Sequence, residues 1–216
     1  MDIEENKKRF IELVQSIKRD CDKEGLIQFL KESDFFTAPA STKYHGAYEG
    51  GLCAHCLNVY DRLEAMAFNG TCYNILIEPT DGPLKYEDFE DTLKIVALFH
   101  DISKTNFYEK FFANKKVYSD SGSKSDNGGR FDWVVETSYK VRESKDRFIF
   151  GTHGQNSERI ISSFIPLRTE ESCAIINHHS VYDNPNLDIT VIFNRYPLLT
   201  LLHIADLYAT YIDERL

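Results

Sequence analysis

The sequence predicts an all-α domain that carries a β-hairpin insertion. In most segments apolar residues recur every three or four positions, as they do on a helix with one buried face. Residues 105–150 differ, because a polar stretch there leads into residues that alternate between apolar and polar. The sequence shows no internal repeat and no second apolar core. We therefore expect one domain over residues 1–216, with residues 1–40 as an N-terminal helical extension.

The predicted elements of the first half are helices joined by loops. Residues 4–32 have helical spacing of apolar residues, and residues 35–51 form a loop with three glycines. A helix over residues 52–68 carries one continuous apolar stripe. Residues 71–84 are rich in proline and glycine and predict a loop, whereas residues 86–103 predict a second amphipathic helix.

The second half begins with the insertion and then returns to helices. Residues 131–141 alternate with period two, which predicts a strand, and residues 147–150 are its predicted hairpin partner. Residues 157–164 predict a helix. Residues 169–177 predict another, capped by its own first residue, a threonine. The last helix is expected over residues 197–214, with proline in its first turn.

Composition excludes several classes of protein. The net charge of −9 disfavours nonspecific binding of duplex DNA, which requires a positive surface. No apolar run approaches the roughly 18 residues of a membrane span, and the charged start does not resemble a secretion signal. The five cysteines are an odd number, as expected for reduced thiols in the cytoplasm.

Three predicted helices each carry an ionisable side chain on the apolar face. These side chains are His55, His100 and Asp206. A carboxylate on a buried face costs free energy unless a cation or hydrogen-bond donors compensate it. A divalent metal is the simplest compensation, and neutral imidazole with carboxylate suits Mn, Fe, Ni, Co or Zn. A calcium site would not use so many histidines.

The order and local contexts of these residues resemble the HD superfamily of metal-dependent phosphohydrolases, over about residues 41–214. The motifs are His55 in GLCAH, His100-Asp101 in HDISK, His153 in GTHG, His178-His179, and Asp206 in LHIAD. The longer series is similar to the two-metal branches of the superfamily. Residues 44–55 resemble HD proteins related to 3′→5′ exoribonucleases, and residues 131–214 resemble HD proteins often encoded by bacteriophages.

The resemblance implies two metal ions that share one carboxylate. The first metal would be held by His55, His100, Asp101 and Asp206. The second would be held by Asp101, His153 and His178, with His179 as a further ligand or supporting group. Metal-activated water would then attack the phosphorus of a phosphoester. Asp101 and Lys104 are the predicted catalytic residues, and His45 and Lys104 are predicted to contact the substrate.

The sequence departs from its relatives at three points. Gly51 stands where some three-metal relatives place a glutamate, one turn before the first histidine. The sequence SVYDNPN follows His178-His179 in place of the GYP signature of the cyclic-dinucleotide branch. The insertion also enlarges the interval between the second and third motifs. The first two departures argue against a third metal and against a cyclic-dinucleotide substrate.

Some neighbouring residues have simpler interpretations. His203, one turn before Asp206, is expected to donate a hydrogen bond rather than bind metal. Cys56 is expected to pack, because a structural zinc site would need a second pair of ligands beyond Cys53-Ala-His55-Cys56. The polar residues 119–129 predict a solvated loop or a mobile lid.

The sequence thus predicts a cytoplasmic phosphohydrolase acting on a nucleotide or a short single-stranded nucleic acid, with no membrane association. An HD-type di-iron oxygenase would use the same ligand series and is one alternative. A module that binds metal and nucleotide without turnover is the other.

Overall fold

The computed structural model describes residues 2–68, 72, 76, 86–179, 186 and 188–215. These residues are mostly helical and include one small antiparallel sheet, as predicted. The helices are α1 (Ile3–Gln15), α2 (Lys23–Glu32), α3 (Gly51–Ala67), α4 (Tyr86–Phe99), α5 (His153–Ile161), α6 (Thr169–Asn177), α7 (Ile189–Arg195) and α8 (Pro197–Tyr208). None of these helices is both long enough and apolar enough to cross a bilayer.

Helix α3 lies at the centre of the described fold. It packs against α1, α4 and α8. Its stripe residues Leu52, Val59 and Leu63 are completely buried in the main hydrophobic cluster. The residues from Gly51 to His55 at the start of this helix are all buried, so the imidazole of His55 faces the protein interior.

The sheet is a long ribbon with a third short strand. Strand β1 (Tyr108–Tyr118) pairs antiparallel with β3 (Gly129–Val141), and β2 (Lys124–Asp126) pairs with the start of β3. The strand order is β1-β3-β2. The polar residues 119–129 connect β1 to β3 and include β2.

The predicted strand over residues 131–141 is confirmed, but its predicted partner over residues 147–150 is wrong. Residues 147–150 form no strand, and the partner is β1, which precedes β3 in the chain. A 3₁₀ turn at Ser144–Asp146 follows β3 instead of a hairpin turn. The pattern of β1 (YEKFFANKKVY) contains apolar and charged pairs rather than alternation, because most of its side chains on both faces are exposed or only half-buried.

Two helix predictions differ at their ends. The predicted segment 4–32 is two helices, because α1 ends at Gln15 and Asp22 caps α2 by accepting the backbone N–H of Gly25. The predicted helix 157–164 begins earlier, at His153. Thr152 caps it, forming a reciprocal pair of hydrogen bonds with Gln155.

Helix ends near the C-terminal half also differ from expectation. Thr169 does not cap α6 but is its first residue. The cap position is Arg168, whose backbone N–H donates to the Glu171 carboxylate over 2.8 Å. Helix α4 ends at Phe99 and is followed by a 3₁₀ turn at Ile102–Lys104. Pro197 begins α8 as predicted, but α8 ends at Tyr208 and continues as a π-helical turn to Asp213.

Two predicted segments fall mainly outside the described residues. The loop predicted over residues 71–84 is described only at Cys72 and Leu76. Most of the SVYDNPN stretch after His178-His179 also lies outside them.

Candidate metal centre

Five segments bring the predicted ligands into one interior cluster. Helices α3 and α8 contribute one side chain each, and the ends of α4 and α6 and the start of α5 contribute the rest. The converging residues are His55, His100, Asp101, His153, His178, His179 and Asp206, and each belongs to at least one group whose donor atoms lie within 4.8 Å of one another. The structure therefore contains buried histidine and aspartate clusters that could hold a metal ion.

Asp101 occupies the centre of this cluster, and its two carboxylate oxygens face different imidazoles. Oδ1 lies 2.5 Å from Nε2 of His153 and 3.5 Å from Nε2 of His178. Oδ2 lies 3.6 Å from Nε2 of both His55 and His100. One carboxylate thus separates two sets of nitrogen donors, as a bridging ligand would.

Backbone carbonyls fix the orientation of two of the imidazoles. Nδ1 of His100 donates to the carbonyl of Ala97 over 2.8 Å, and Nδ1 of His178 donates to the carbonyl of Ile175 over 2.7 Å. Both histidines sit at helix ends, three residues after the carbonyl that they reach. Because Nδ1 carries the proton, Nε2 presents its lone pair to the cluster.

The third imidazole, His153, is held by two serines. Ser103 Oγ lies 2.8 Å from Nδ1 of His153, and Ser157 donates its hydroxyl to Ser103 over 3.0 Å. Because Nε2 of His153 lies 2.5 Å from a carboxylate oxygen of Asp101, Nε2 carries the proton in the metal-free protein and Ser103 donates to Nδ1. A metal on Nε2 would require the other tautomer, in which the same hydroxyl accepts from Nδ1. Sequence analysis did not identify either serine.

His55 is completely buried, and sequence analysis did not identify its partner Glu214. Its Nε2 lies 3.2 Å from Asp206 Oδ1, while its Nδ1 lies 3.1 Å from Oε1 of Glu214. Asn58 donates to the same Glu214 oxygen over 2.9 Å. Glu214 follows the π-helical turn after α8 and carries no apolar pattern that would have indicated its position.

Two further residues lie around Asp206 and His178 as supporting groups. Nδ1 of His203 donates to the backbone carbonyl of His178 over 2.6 Å, the hydrogen-bonding role expected for it. Thr210 donates to Asp206 over 3.4 Å.

His179 is about one-third exposed and stacks on His153, with ring centroids 4.9 Å apart. These two partly exposed imidazoles mark the side on which the cluster opens to solvent.

One buried atom tests whether the donor set fits a cation. Nε2 of His178 is buried and has no hydrogen-bond partner. Its lone pair faces Oδ1 of Asp101 at 3.5 Å, an arrangement in which two acceptors repel each other. A cation between them would satisfy both atoms, and imidazole with carboxylate is a donor set that suits divalent transition metals.

The pKa shifts in the cluster place several candidate ligands in the protonation state that binds metal. Burial lowers the pKa of His100 to about 3 and that of His153 to about 4, so both are neutral near pH 7. Burial by itself would raise the pKa of Asp101, but Lys104 and the neighbouring histidines outweigh it and hold that pKa well below its ordinary value. Neutral imidazoles and ionised carboxylates are the forms that bind metal.

His55 differs from the other histidines in its protonation. Burial opposes its charge, but hydrogen bonds to Asp206 and Glu214 outweigh burial and raise its pKa to about 10. The metal-free side chain is therefore an imidazolium near pH 7. Lys104 is the other buried cation, and its Nζ lies 2.6 Å from Oδ2 of Asp101, which raises the Lys104 pKa.

The start of α3 excludes a side chain at position 51. Gly50 precedes the helix with φ of +82°, a left-handed conformation that favours glycine. A Cβ at Gly51 would lie 2.0 Å from the carbonyl oxygen of Gly46. A glutamate at position 51 therefore has no room beside the loop of this chain.

The cysteines near His55 pack rather than coordinate. Cys53 and Cys56 are buried in the main hydrophobic cluster. Burial raises the pKa of Cys53 to about 12 and that of Cys56 well above its ordinary value. Both remain thiols near neutral pH, whereas a metal requires thiolates. Packing is the role that sequence analysis expected for Cys56.

The two predicted substrate contacts have different neighbours in the cluster. Lys104 contacts Asp101, and His45 packs its ring on that of His55 with centroids 4.8 Å apart.

Searches of protein-family models, curated proteins and solved structures give no match to this chain. The case for its function therefore rests on the geometry of this centre.

Proposed function

We propose that the protein is a metal-dependent phosphohydrolase of the HD type. It binds two divalent transition-metal ions in the cytoplasm and cleaves a phosphoester of a nucleotide or a short single-stranded nucleic acid. The observation that carries the proposal is the central position of Asp101, with one oxygen toward His55 and His100 and the other toward His153 and His178.

The ligand sets are those that the resemblance implies, and the two-sided contacts of Asp101 support them. The first ion would be held by His55, His100, Asp101 and Asp206. The second would be held by Asp101, His153 and His178, with His179 at the open side. When bound, two such ions polarise a phosphoryl oxygen and lower the pKa of a water molecule.

The residues of the chain supply orientation and charge balance. The carbonyls of Ala97 and Ile175 keep the lone pairs of His100 and His178 directed inward. Lys104 offsets the negative charge of Asp101 and adds positive potential where a phosphate would approach. His153 and His179 border the opening, so a substrate enters past imidazoles rather than past carboxylates.

The helical order supports the HD type of bundle. The first histidine lies on a central helix, the histidine–aspartate pair follows the end of the next long helix, and the last aspartate lies on α8. The cysteines that the structure describes are all unpaired, which is typical of a reducing compartment.

The test is hydrolysis of bis-p-nitrophenyl phosphate with added Mn²⁺, Ni²⁺ or Co²⁺. We expect turnover with at least one metal and a loss of at least about a hundredfold in Asp101→Asn, since the bridging charge is removed. Asp61→Asn is the matched control, because Asp61 is a half-exposed partner of Arg9 on the surface of α3. Absence of turnover with all three metals, or full activity of Asp101→Asn, would contradict the proposal.

A further inference from the structure

A cavity of about 360 Å³ opens beside the metal centre. It lies between the loop before α3 and the chain after α8, and its lining residues are Tyr44, His45, Thr210, Tyr211, Glu214 and Arg215. The volume is within the range of sites that bind small molecules. The cavity is on the Nδ1 side of His55, away from the Nε2 atom that faces the two aspartates.

Two residues that line this cavity each have a buried polar atom with no hydrogen-bond partner. These atoms are Oε2 of Glu214 and Nε2 of His45. The Glu214 side chain is only 4% exposed, and its other oxygen already accepts from His55 and Asn58. Buried polar atoms in proteins normally have a hydrogen-bond partner, so a ligand with a hydrogen-bond donor would supply the partner that Oε2 of Glu214 lacks.

The outer walls of the cavity are aromatic and cationic. The Tyr44 side chain is 74% exposed and that of Tyr211 is 67% exposed, although both are large rings. Arg215 lies between solvent and the same cavity. Exposed aromatic rings with a nearby guanidinium form the kind of platform on which nucleic-acid bases stack.

Two residues that line the cavity also contact proposed ligands: Thr210 donates to Asp206, and Glu214 contacts His55. A ligand in the cavity would therefore lie one layer of side chains away from the first metal position. This proximity links base recognition to phosphoester cleavage.

We propose that this cavity binds the base of the substrate, with the base stacked on Tyr44 or Tyr211 and one of its N–H groups donating to Oε2 of Glu214. The inference rests on the proposed function and specifies its substrate as one that carries a nucleobase. It gives His45 the role of a base contact through Nε2, rather than that of a phosphate contact.

The test measures binding of nucleosides, which lack phosphate, to the metal-loaded protein by calorimetry. The probes are adenosine, guanosine, cytidine and uridine, with ribose as the base-free comparison. We expect at least one nucleoside to bind at least tenfold more tightly than ribose. Tyr211→Ala should weaken that binding about tenfold, as for loss of one stacked base. Tyr118→Ala, which removes a half-exposed tyrosine from the ribbon, is the matched control.

A second variant tests the polar contact. Glu214→Gln retains the shape of the side chain but replaces one carboxylate oxygen with an amide donor. We expect about tenfold weaker binding of the preferred nucleoside and a changed order of preference among the four. Unchanged affinity in both Tyr211→Ala and Glu214→Gln would overturn the proposal, as would equal binding of ribose and nucleosides.

Three outcomes separate this inference from others. A third equivalent of metal that binds wild-type protein and is lost in Glu214→Gln would assign His45 and Glu214 to a cation and overturn the base pocket. Nucleoside binding that depends on Tyr211 without any phosphoester turnover would support the pocket while contradicting the proposed hydrolase. Phosphoester turnover together with nucleoside binding that does not depend on Tyr211 and Glu214 would support the proposed hydrolase and contradict the pocket.

Discussion

Lys104 Nζ lies 2.6 Å from Asp101 Oδ2, and the two side chains are 11% and 1% exposed. A buried ion pair is costly to break from one side, because the remaining charge loses its partner without regaining water. The ammonium thus stabilises the central carboxylate when no metal is bound. This contact makes the stability of the fold depend on the charge at the centre.

Replacing the lysine should destabilise the metal-free protein more than the metal-loaded protein. We expect Lys104→Met to lower the free energy of unfolding of the metal-free protein by about 3 kcal/mol, since the buried Asp101 loses its nearest cation and keeps only its histidine contacts. Mn²⁺ should restore part of this loss, because a cation again faces the carboxylate. Urea unfolding with and without metal measures both values. Lys110→Met, which breaks an exposed pair with Glu49, is the control and should change stability little.

The metal content should divide according to the two ligand sets. Elemental analysis of purified protein is expected to give two metal equivalents in wild type and one in either His153→Asn or Asp206→Asn. Asp101→Asn should retain less than one equivalent, because both positions use its carboxylate. Equal metal content in Asp101→Asn and His153→Asn would contradict a bridging role.

Binding of the first metal should release a proton near neutral pH. The hydrogen bonds of His55 to Asp206 and Glu214 raise its pKa to about 10, so it is charged in the metal-free state. A ligating imidazole must be neutral, and the displaced proton passes to the buffer. Calorimetry at pH 7 in buffers of different ionisation enthalpy counts the protons released. His55→Asn should lower this count by about one, and an unchanged count would contradict the assignment.

The metal-free protein should lose stability as the pH falls below about 6.5. Burial lowers the pKa of His100 to about 3 and that of His153 to about 4, whereas the unfolded chain binds those protons near pH 6.5. Over this range the unfolded state therefore binds more protons, so acid favours unfolding. His55 opposes this slope near pH 6.5, because its raised pKa of about 10 keeps it protonated when folded while the unfolded chain is only partly protonated; its effect vanishes at lower pH, where both states hold the proton.

The measurement for this pH dependence is the urea midpoint between pH 7 and pH 4 in the presence of a chelator. A double variant, His100→Gln with His153→Gln, should show a shallower decline than wild type, because two of the titrating groups are absent. A decline of the same slope in both proteins would contradict the prediction.

Helical periodicity predicted the buried faces that carry His55, His100 and Asp206, whereas the other candidate ligands were implied by the resemblance to the HD superfamily. His55 continues the apolar stripe of α3, and the structure leaves it with no exposed surface. The same rule failed for β1, where Phe111 and Phe112 lie on opposite faces of a ribbon that is largely exposed. Without a buried face the alternation that identifies a strand is not enforced.

The supporting groups could not be predicted from the sequence, because they are set by contacts between distant segments. Glu214 meets His55 across almost the whole chain, and Ser103 meets His153 across the insertion. Glu214 belongs to none of the motifs, and Ser103 lies within HDISK at a position to which the motif gave no role. The bundle has to be assembled before the positions of these side chains can be known.

The close contact between Gly46 and Gly51 links the residue type at position 51 to the path of the loop that lines the cavity. A chain that acquires an acidic ligand at position 51 must reroute the preceding loop, because the carbonyl of Gly46 occupies that space. The rerouting would carry away His45 and Tyr44, which line the cavity. The proposed base-binding wall, which includes residues of this loop, would therefore be lost in a chain that carries an acidic ligand at position 51.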